Sequence, residues 1–255
     1  AKGAALGVFS NDARIVDPRG MSWNPAGTLL YLNSGDDRIL AVDRRGEVRL
    51  DSGKIPGLNP GGGVFGPDGR YYVGLRSHKT IAAFDPNLTD DPVKLLQDSV
   101  VPFPRGFGFG ADGRLFLSSG IGPNGVGQNT IVVFDLQQSQ MARPLIDDDE
   151  VSPLDLAVGP TGNVLVSSEF PFGSPNAVAS VREYDGTSGK FVRVFDPPAD
   201  VPFQRPRGLR FGPRGELYCT ARDTVVIFDY ESGQFEGVAV HRPGLHGQAV
   251  ALSPK

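Results

Sequence analysis

A single cysteine, Cys219, stands in 255 residues, which excludes an internal disulfide framework and any cysteine-based zinc site. The chain holds three histidines, with no HxxxH spacing or cluster to supply zinc ligands. No apolar run reaches the roughly 18 residues of a transmembrane helix. Stretches free of helix breakers are scarce, because 34 glycines and 22 prolines are spread through the chain, and this argues against a helical fold. Charge of one sign is also scarce: the formal net charge is −4, which gives no reason to expect a nucleic-acid partner. Two further absences concern catalysis. There is no GxSxG nucleophile elbow, and Gly189-Lys190 runs into Phe191 rather than Ser or Thr, so no phosphate-binding P-loop exists. Gly120–Gly125 fits GxGxxG but opens no helix that could hold a pyrophosphate.

What is present is a chain of one-domain size, 39% apolar with 16 phenylalanines. That is too rich for disorder, so glycine and proline here mark turns. A phrase, Pro-Arg-Gly-apolar-x-aromatic-x-Pro, recurs. It begins at Pro18-Arg19-Gly20, Pro60-Gly61-Gly62, Pro104-Arg105-Gly106, Pro153-Leu154-Asp155 and Pro206-Arg207-Gly208, with a weaker sixth copy at Gly247-Gln248-Ala249. Each full copy leads through a turn closed by glycine (Gly27, Gly69, Gly113, Gly162, Gly215) into a second apolar run. Glycine supplies the positive φ such a turn needs. A third run then ends in aspartate every time, at Asp43, Asp85, Asp135, Asp185 and Asp229, and a short fourth run follows. Four short strands per forty-odd residues, joined by hairpins, describe one blade of a β-propeller.

These phrases resemble the NHL-type and SMP-30/gluconolactonase-type six-bladed propellers, and Val181–Phe191 also resembles repeats of the virginiamycin B lyase group. The resemblance implies one all-β domain over residues 1–255. Residues 5–18 read as an outer strand with its lead-in, and residues 247–254 as an inner strand. The expectation is therefore six blades, the last one abbreviated and closed by strands from both termini, with a five-bladed ring as the alternative. Strands near Val8 and Val250 would leave edges through which copies of the chain could associate. Ala1 in place of Met, with no signal pattern in residues 1–25, fits a matured secreted or periplasmic chain and also a trimmed cytoplasmic one.

In a propeller the inner-strand starts and the loops between second and third strands lie at one end, and function concentrates on such loops. That face gathers Arg19, Arg105, Arg207, Gln248, Asp155 and His246 from strand starts, and Arg76, His78 and Glu169 from loops. Two longer loops, Ser119–Asn129 and Ser168–Ala179 with Phe170 and Phe172, suggest a lid or a partner surface. Arginine at the second phrase position has a structural reading, pairing with a carboxylate of the next blade, and a functional one, convergence on an anion.

Two functions follow. In the first, the channel mouth holds an anionic small molecule or a protein partner through Arg19, Arg105, Arg207, Arg76, His78 and Gln248, with no cofactor. In the second, implied by the resemblance, the chain is a lactone or ester hydrolase or a lyase. His246 would then be the base, Glu169 its acid or orienting partner, and a calcium-like divalent metal would sit in the channel on Asp155 and Glu169. Those two carboxylates are fewer than the roughly 6–8 oxygens calcium takes. The acidic run Asp147–Glu150 reads as a solvated loop, with weak surface calcium binding as its sharper alternative.

Overall fold

Every apolar run of the five full copies of the repeat forms a strand in the computed structural model, which describes residues 7–94, 104–119, 129–136, 143–169 and 178–253. The first blade is β1 (Gly20–Trp23), β2 (Leu29–Ser34), β3 (Arg38–Asp43) and β4 (Val48–Asp51). The second is β5 (Pro60–Phe65), β6 (Tyr71–Leu75), β7 (Thr80–Phe84) and β8 (Val93–Lys94). The third is β9 (Pro104–Phe109), β10 (Arg114–Ser119), β11 (Thr130–Asp135) and β12 (Arg143–Asp147). The fourth is β13 (Pro153–Val158), β14 (Val164–Ser168), β15 (Ser180–Tyr184) and β16 (Phe191–Phe195). The fifth is β17 (Leu209–Phe211), β18 (Leu217–Thr220), β19 (Thr224–Phe228) and β20 (Phe235–His241). Each sheet is antiparallel and paired in sequence order. One 3₁₀ turn, Arg76–His78, is the helical content among the described residues. No helix there is long and apolar enough to cross a membrane.

The alternating strand face explains how blades stack. Tyr71 and Tyr72 are neighbours on β6, yet Tyr71 packs with Tyr31 and Ile39 of the first blade while Tyr72 packs with Phe107 and Leu115 of the third. Successive residues point to opposite sheet faces, so one strand serves two interfaces. The same division builds the core between the third and fourth blades, around Phe116 and Leu156, and between the fourth and fifth, around Phe195 and Leu209. The aspartates that end the third strands cap the turns that follow. Asp85 accepts N–H groups from Asn87, Thr89 and Asp90, and Asp185 accepts them from Thr187 and Ser188.

Five blades form, the alternative to the six expected. Residues 7–18 and 247–253 make no strand, although they occupy the places expected of a sixth blade. A Cβ on Gly208 would lie 2.7 Å from Ala249 Cα, so residues 247–251 run beside the fifth inner strand. A Cβ on Gly46 would lie 1.8 Å from the Phe9 carbonyl oxygen, just as one on Gly189 would lie 2.0 Å from that of Leu145, an outer-strand residue of the third blade. Phe9 thus stands where the outer strand of a preceding blade stands. Between the two segments lies an apolar groove of about 470 Å³ lined by Phe9, Ile15, Met21, Trp23, Leu30 and Ala251. With no hairpin between them to complete a ladder, neither segment becomes a strand. The edges expected near Val8 and Val250 are accordingly not strand edges, and Val8 is 84% exposed.

Candidate functional site: an arginine-lined axial channel

The inner strands of the second, third and fourth blades carry a shared irregularity. Pro60 pairs with Leu75 and Gly63 with Val73, Pro104 with Ser119 and Phe107 with Leu117, and Pro153 with Ser168 and Leu156 with Val166. Three steps on the inner strand oppose two on its partner, which is a β-bulge at the second and third phrase positions. Buried hydroxyls from the second strands hold these bulges. Ser118 accepts the Gly106 N–H (2.9 Å) and donates to the Leu154 carbonyl of the next blade (2.9 Å). Ser167 accepts the Asp155 N–H (3.0 Å) and donates to the Arg207 carbonyl. In the fifth blade, whose inner strand pairs without a register shift, Thr220 likewise accepts the Gly208 N–H (2.8 Å).

The third phrase position is glycine in four of the five full copies, at Gly20, Gly62, Gly106 and Gly208, because neighbouring inner strands nearly touch there. A Cβ on Gly20 would meet the Gly61 oxygen at 2.7 Å, one on Gly62 the Arg105 oxygen at 2.6 Å, and one on Gly106 the Cα of Asp155 at 2.5 Å. The strands therefore close into a narrow throat. Side chains at the second phrase position, Arg19, Arg105, Leu154, Arg207 and Gln248, line a cavity of about 180 Å³ at one end of it.

Five arginines line that cavity: Arg19, Arg76, Arg105, Arg207 and Arg210, together with Asp155 and Gln248. Arg19 is held by Asp17 (3.0 Å) and by the side-chain oxygen of Asn59. Arg207 clasps buried Glu169 with Nε (3.2 Å) and Nη2 (2.6 Å), and its Nη1 donates to Gln248. Arg210 donates to Asp155 Oδ2 (2.8 Å), which also accepts the Leu209 N–H (3.1 Å). Arg76 has a different setting. Its Nε is buried and makes no hydrogen bond among the described residues. Burial, followed by the charges of Arg19 and Arg105, pulls this guanidinium down to about 10. Burial lowers Arg105 as well, with Glu169 opposing and Arg207 adding to the shift.

Of the residues singled out from the sequence, Arg19, Arg76, Arg105, Arg207, Gln248 and Asp155 line this one cavity, and Glu169 reaches it through Arg207. His78 is exposed on the 3₁₀ turn, beside Gly57 and outside the lining. His246 is exposed too and lines a separate small pocket with Arg205, Arg207 and Arg222. Phe170, Phe172 and Gly120–Gly125 lie outside the described residues. Arg210 is the member that sequence reading missed. It occupies the fifth phrase position, where the other full copies carry Ser22, Val64, Gly108 and Ala157, so that repeat position gave no signal. The acidic run is used in blade packing: Asp148 accepts from Tyr184 (2.6 Å) and Arg182 (3.2 Å), and Glu150 pairs with Arg182. Cys219 is buried, and burial pushes its thiol well up, which keeps it unreactive.

The donor set does not suit a divalent metal. Asp155 Oδ2 is engaged by a backbone N–H and Arg210, and Glu169 Oε1 by the Nε and Nη2 edge of Arg207. A dication would face five guanidinium groups. No group of three or more metal-ligating side chains occurs among the described residues.

No family model matches the chain, and no curated protein does either. Solved structures do match. The structure of a nidogen/laminin complex is similar over 97% of this chain and 89% of that one, at 12% identity and a TM-score of 0.78. A gluconolactonase from Xanthomonas campestris is similar over 92% of this chain and 79% of its own, at 16% identity and a TM-score of 0.73. Virginiamycin B lyase from Staphylococcus aureus is similar over 97% of this chain and 78% of its own, at 13% identity and a TM-score of 0.68. At such identities the likeness is one of fold, and proteins this different share it. The chain is thus a β-propeller whose structural neighbours include the gluconolactonase and virginiamycin B lyase types.

Proposed function

We propose that this propeller is a binding protein that holds a small anionic molecule in its axial cavity. The observation that carries the reading is Arg76, a buried guanidinium with an unused Nε, in a cavity it shares with four other arginines. Burying like charges together is costly unless acids or a ligand balance them. Asp17, Glu169 and Asp155 answer Arg19, Arg207 and Arg210, so the side lined by Arg76, whose Nε is unused, is where an anion gains most. A planar carboxylate or a phosphate matches the forked guanidinium geometry.

The hydrolase or lyase reading has less support. Glu169 Oε1 is occupied by the Nε and Nη2 groups of Arg207, so it is not turned toward a substrate in the axial cavity. His246 stands in the side pocket and not in the axial lining. The test is titration of the full chain with inorganic phosphate and acetate, followed by NMR chemical shifts. Saturable binding is expected, weakened by salt and by about tenfold in Arg105→Ala and Arg76→Ala. Absence of binding by either anion at millimolar concentration would overturn the reading. Lactonase activity dependent on an added divalent metal would replace it with the enzymatic one.

A further inference from the structure

The residue just before the phrase adopts positive φ in four places: Asp17 (44°), Asn59 (40°), Arg205 (54°) and His246 (48°). This left-handed step, uncommon for any residue but glycine, turns the lead-in loop onto the inner strand. It recurs around the ring, so the step itself belongs to the repeat. What changes is the side chain it presents. Over the first two blades it presents Asp17 and Asn59, both spent on Arg19. Beside the fifth inner strand it presents Arg205 and His246, and these line a second pocket with Arg207, Arg222, Gly247 and Gln248.

That pocket has a volume of about 70 Å³, the liquid volume of roughly two waters, which suits one carboxylate or phosphate group. Its lining holds three arginines, a histidine and a glutamine, and no carboxylate. The nearby acid Asp223 is engaged by the Gly244 N–H (2.9 Å). Arg222 is exposed, and its backbone N–H is anchored to the Gln204 carbonyl (2.7 Å). Arg207 and Gln248 line both this pocket and the axial cavity, and they are hydrogen-bonded to each other. They form the partition between two adjoining basic chambers.

We infer that the side pocket is a second anion subsite, so that the ligand is a two-headed anion with one end in the axial cavity and the other among Arg205, Arg222 and His246. This rests on the axial reading above and goes further by naming the ligand class: linear dicarboxylates or their phosphate equivalents. A single-headed anion fills the axial cavity alone. A two-headed one of suitable length spans the partition and gains a second set of charge-assisted hydrogen bonds without a second loss of free motion.

The experiment compares acetate with a series of linear dicarboxylates, succinate to adipate, titrated into the full chain and into Arg222→Ala and Arg105→Ala. Melting temperatures are measured alongside. One dicarboxylate length is expected to bind at least about tenfold more tightly than acetate. In Arg222→Ala that gain disappears, while acetate affinity and melting temperature stay as they were. Arg105→Ala weakens both probes. Dicarboxylates binding no better than acetate at any length, or Arg222→Ala weakening both probes alike, would overturn the second subsite and leave the axial reading standing. If neither probe binds the unaltered chain, the axial reading falls and the subsite falls with it.

Discussion

The Nε of Arg76 lies 3.2 Å from the point that a Cβ on Gly61 would occupy. In the first, third and fifth blades the second phrase position itself carries arginine, at Arg19, Arg105 and Arg207. In the second blade that position is Gly61, and the arginine arrives from the far end of β6 into the space a side chain would have taken. The ring of guanidinium groups is thereby continued through a different strand. Gly61→Ala is expected to shift the Arg76 guanidinium by a few tenths of an ångström, because the other atoms near the added methyl, the Gly74 and Arg105 oxygens at 3.4 and 3.5 Å, are at ordinary contact distance. Anion affinity should fall, but by less than the roughly tenfold loss in Arg76→Ala, with little change in melting temperature. Titration of the two variants side by side checks this. An unchanged affinity in Gly61→Ala would mean Arg76 does not depend on that space.

Asp155 should separate stability from binding. Its Oδ2 ties the fourth blade to the fifth through the Leu209 N–H and Arg210. Removing it leaves a part-buried donor and a guanidinium without their acceptor, at a cost of about 2 kcal/mol. The same change removes a negative charge from the cavity. Asp155→Ala is therefore expected to melt lower and yet to bind phosphate more tightly. Chemical denaturation and titration on one preparation give both signs, and a loss of both stability and affinity would contradict the argument.

Much of this was readable from the phrase alone. Its alternation marks the inner strands, the glycine-closed turns that follow it the hairpins, and its recurrence the propeller. The blade count was less readable, because the phrase counts inner strands, and the copy at Gly247 has no second and third strand after it with which to pair. At the site, Arg19, Arg105 and Arg207 were visible as equivalent positions. Arg76 was visible only as a loop residue, since its approach to Gly61 joins the start of one strand to the end of the next. Arg210 was invisible because no other full copy carries a charge there. His246 was placed on the correct face but in the wrong chamber, since a positive φ at that residue cannot be read from the repeat. Ser118 and Ser167, which pin bulges, and Thr220, which holds the start of the fifth inner strand, read as ordinary strand residues, and their burial gives them a task.

The throat of the propeller should be its least forgiving part. A methyl added at Gly62 would sit 2.6 Å from the Arg105 carbonyl oxygen and 3.2 Å from Gly106 Cα, and both are backbone atoms of an inner strand packed on either side. Gly62→Ala is expected to cost about 3 kcal/mol. Gly69→Ala is the matched control. Its φ of 79° makes the substitution strained, but no atom lies within 4 Å of the new methyl, so the cost should be about 1 kcal/mol. Equal destabilisation of the two variants would show that strand contact at the throat is not what selects glycine.

The acid sensitivity of the fold should trace in part to Glu183. This carboxylate is 1% exposed and accepts hydrogen bonds from Asn163 (2.9 Å), Tyr230 (2.7 Å) and Arg193 (2.6 Å), so that it joins the fourth blade to the fifth. Burial alone would raise its pKa, but the three donors, with Tyr230 foremost, outweigh burial and hold it below the ordinary glutamate value. A group whose pKa is lower in the folded chain stabilises the fold at every pH above its unfolded value, about 4.3. That stabilisation is lost as the pH falls from there through the folded value. The wild-type chain should therefore lose stability below about pH 4. Glu183→Gln keeps the shape but removes the charge. It should be roughly 2 kcal/mol less stable at neutral pH, with a shallower decline in acid, so that the two stability curves converge as the pH drops. Denaturation midpoints measured from neutral pH into the acid range decide the matter: parallel curves would show that the charge of Glu183 has no part in the acid response.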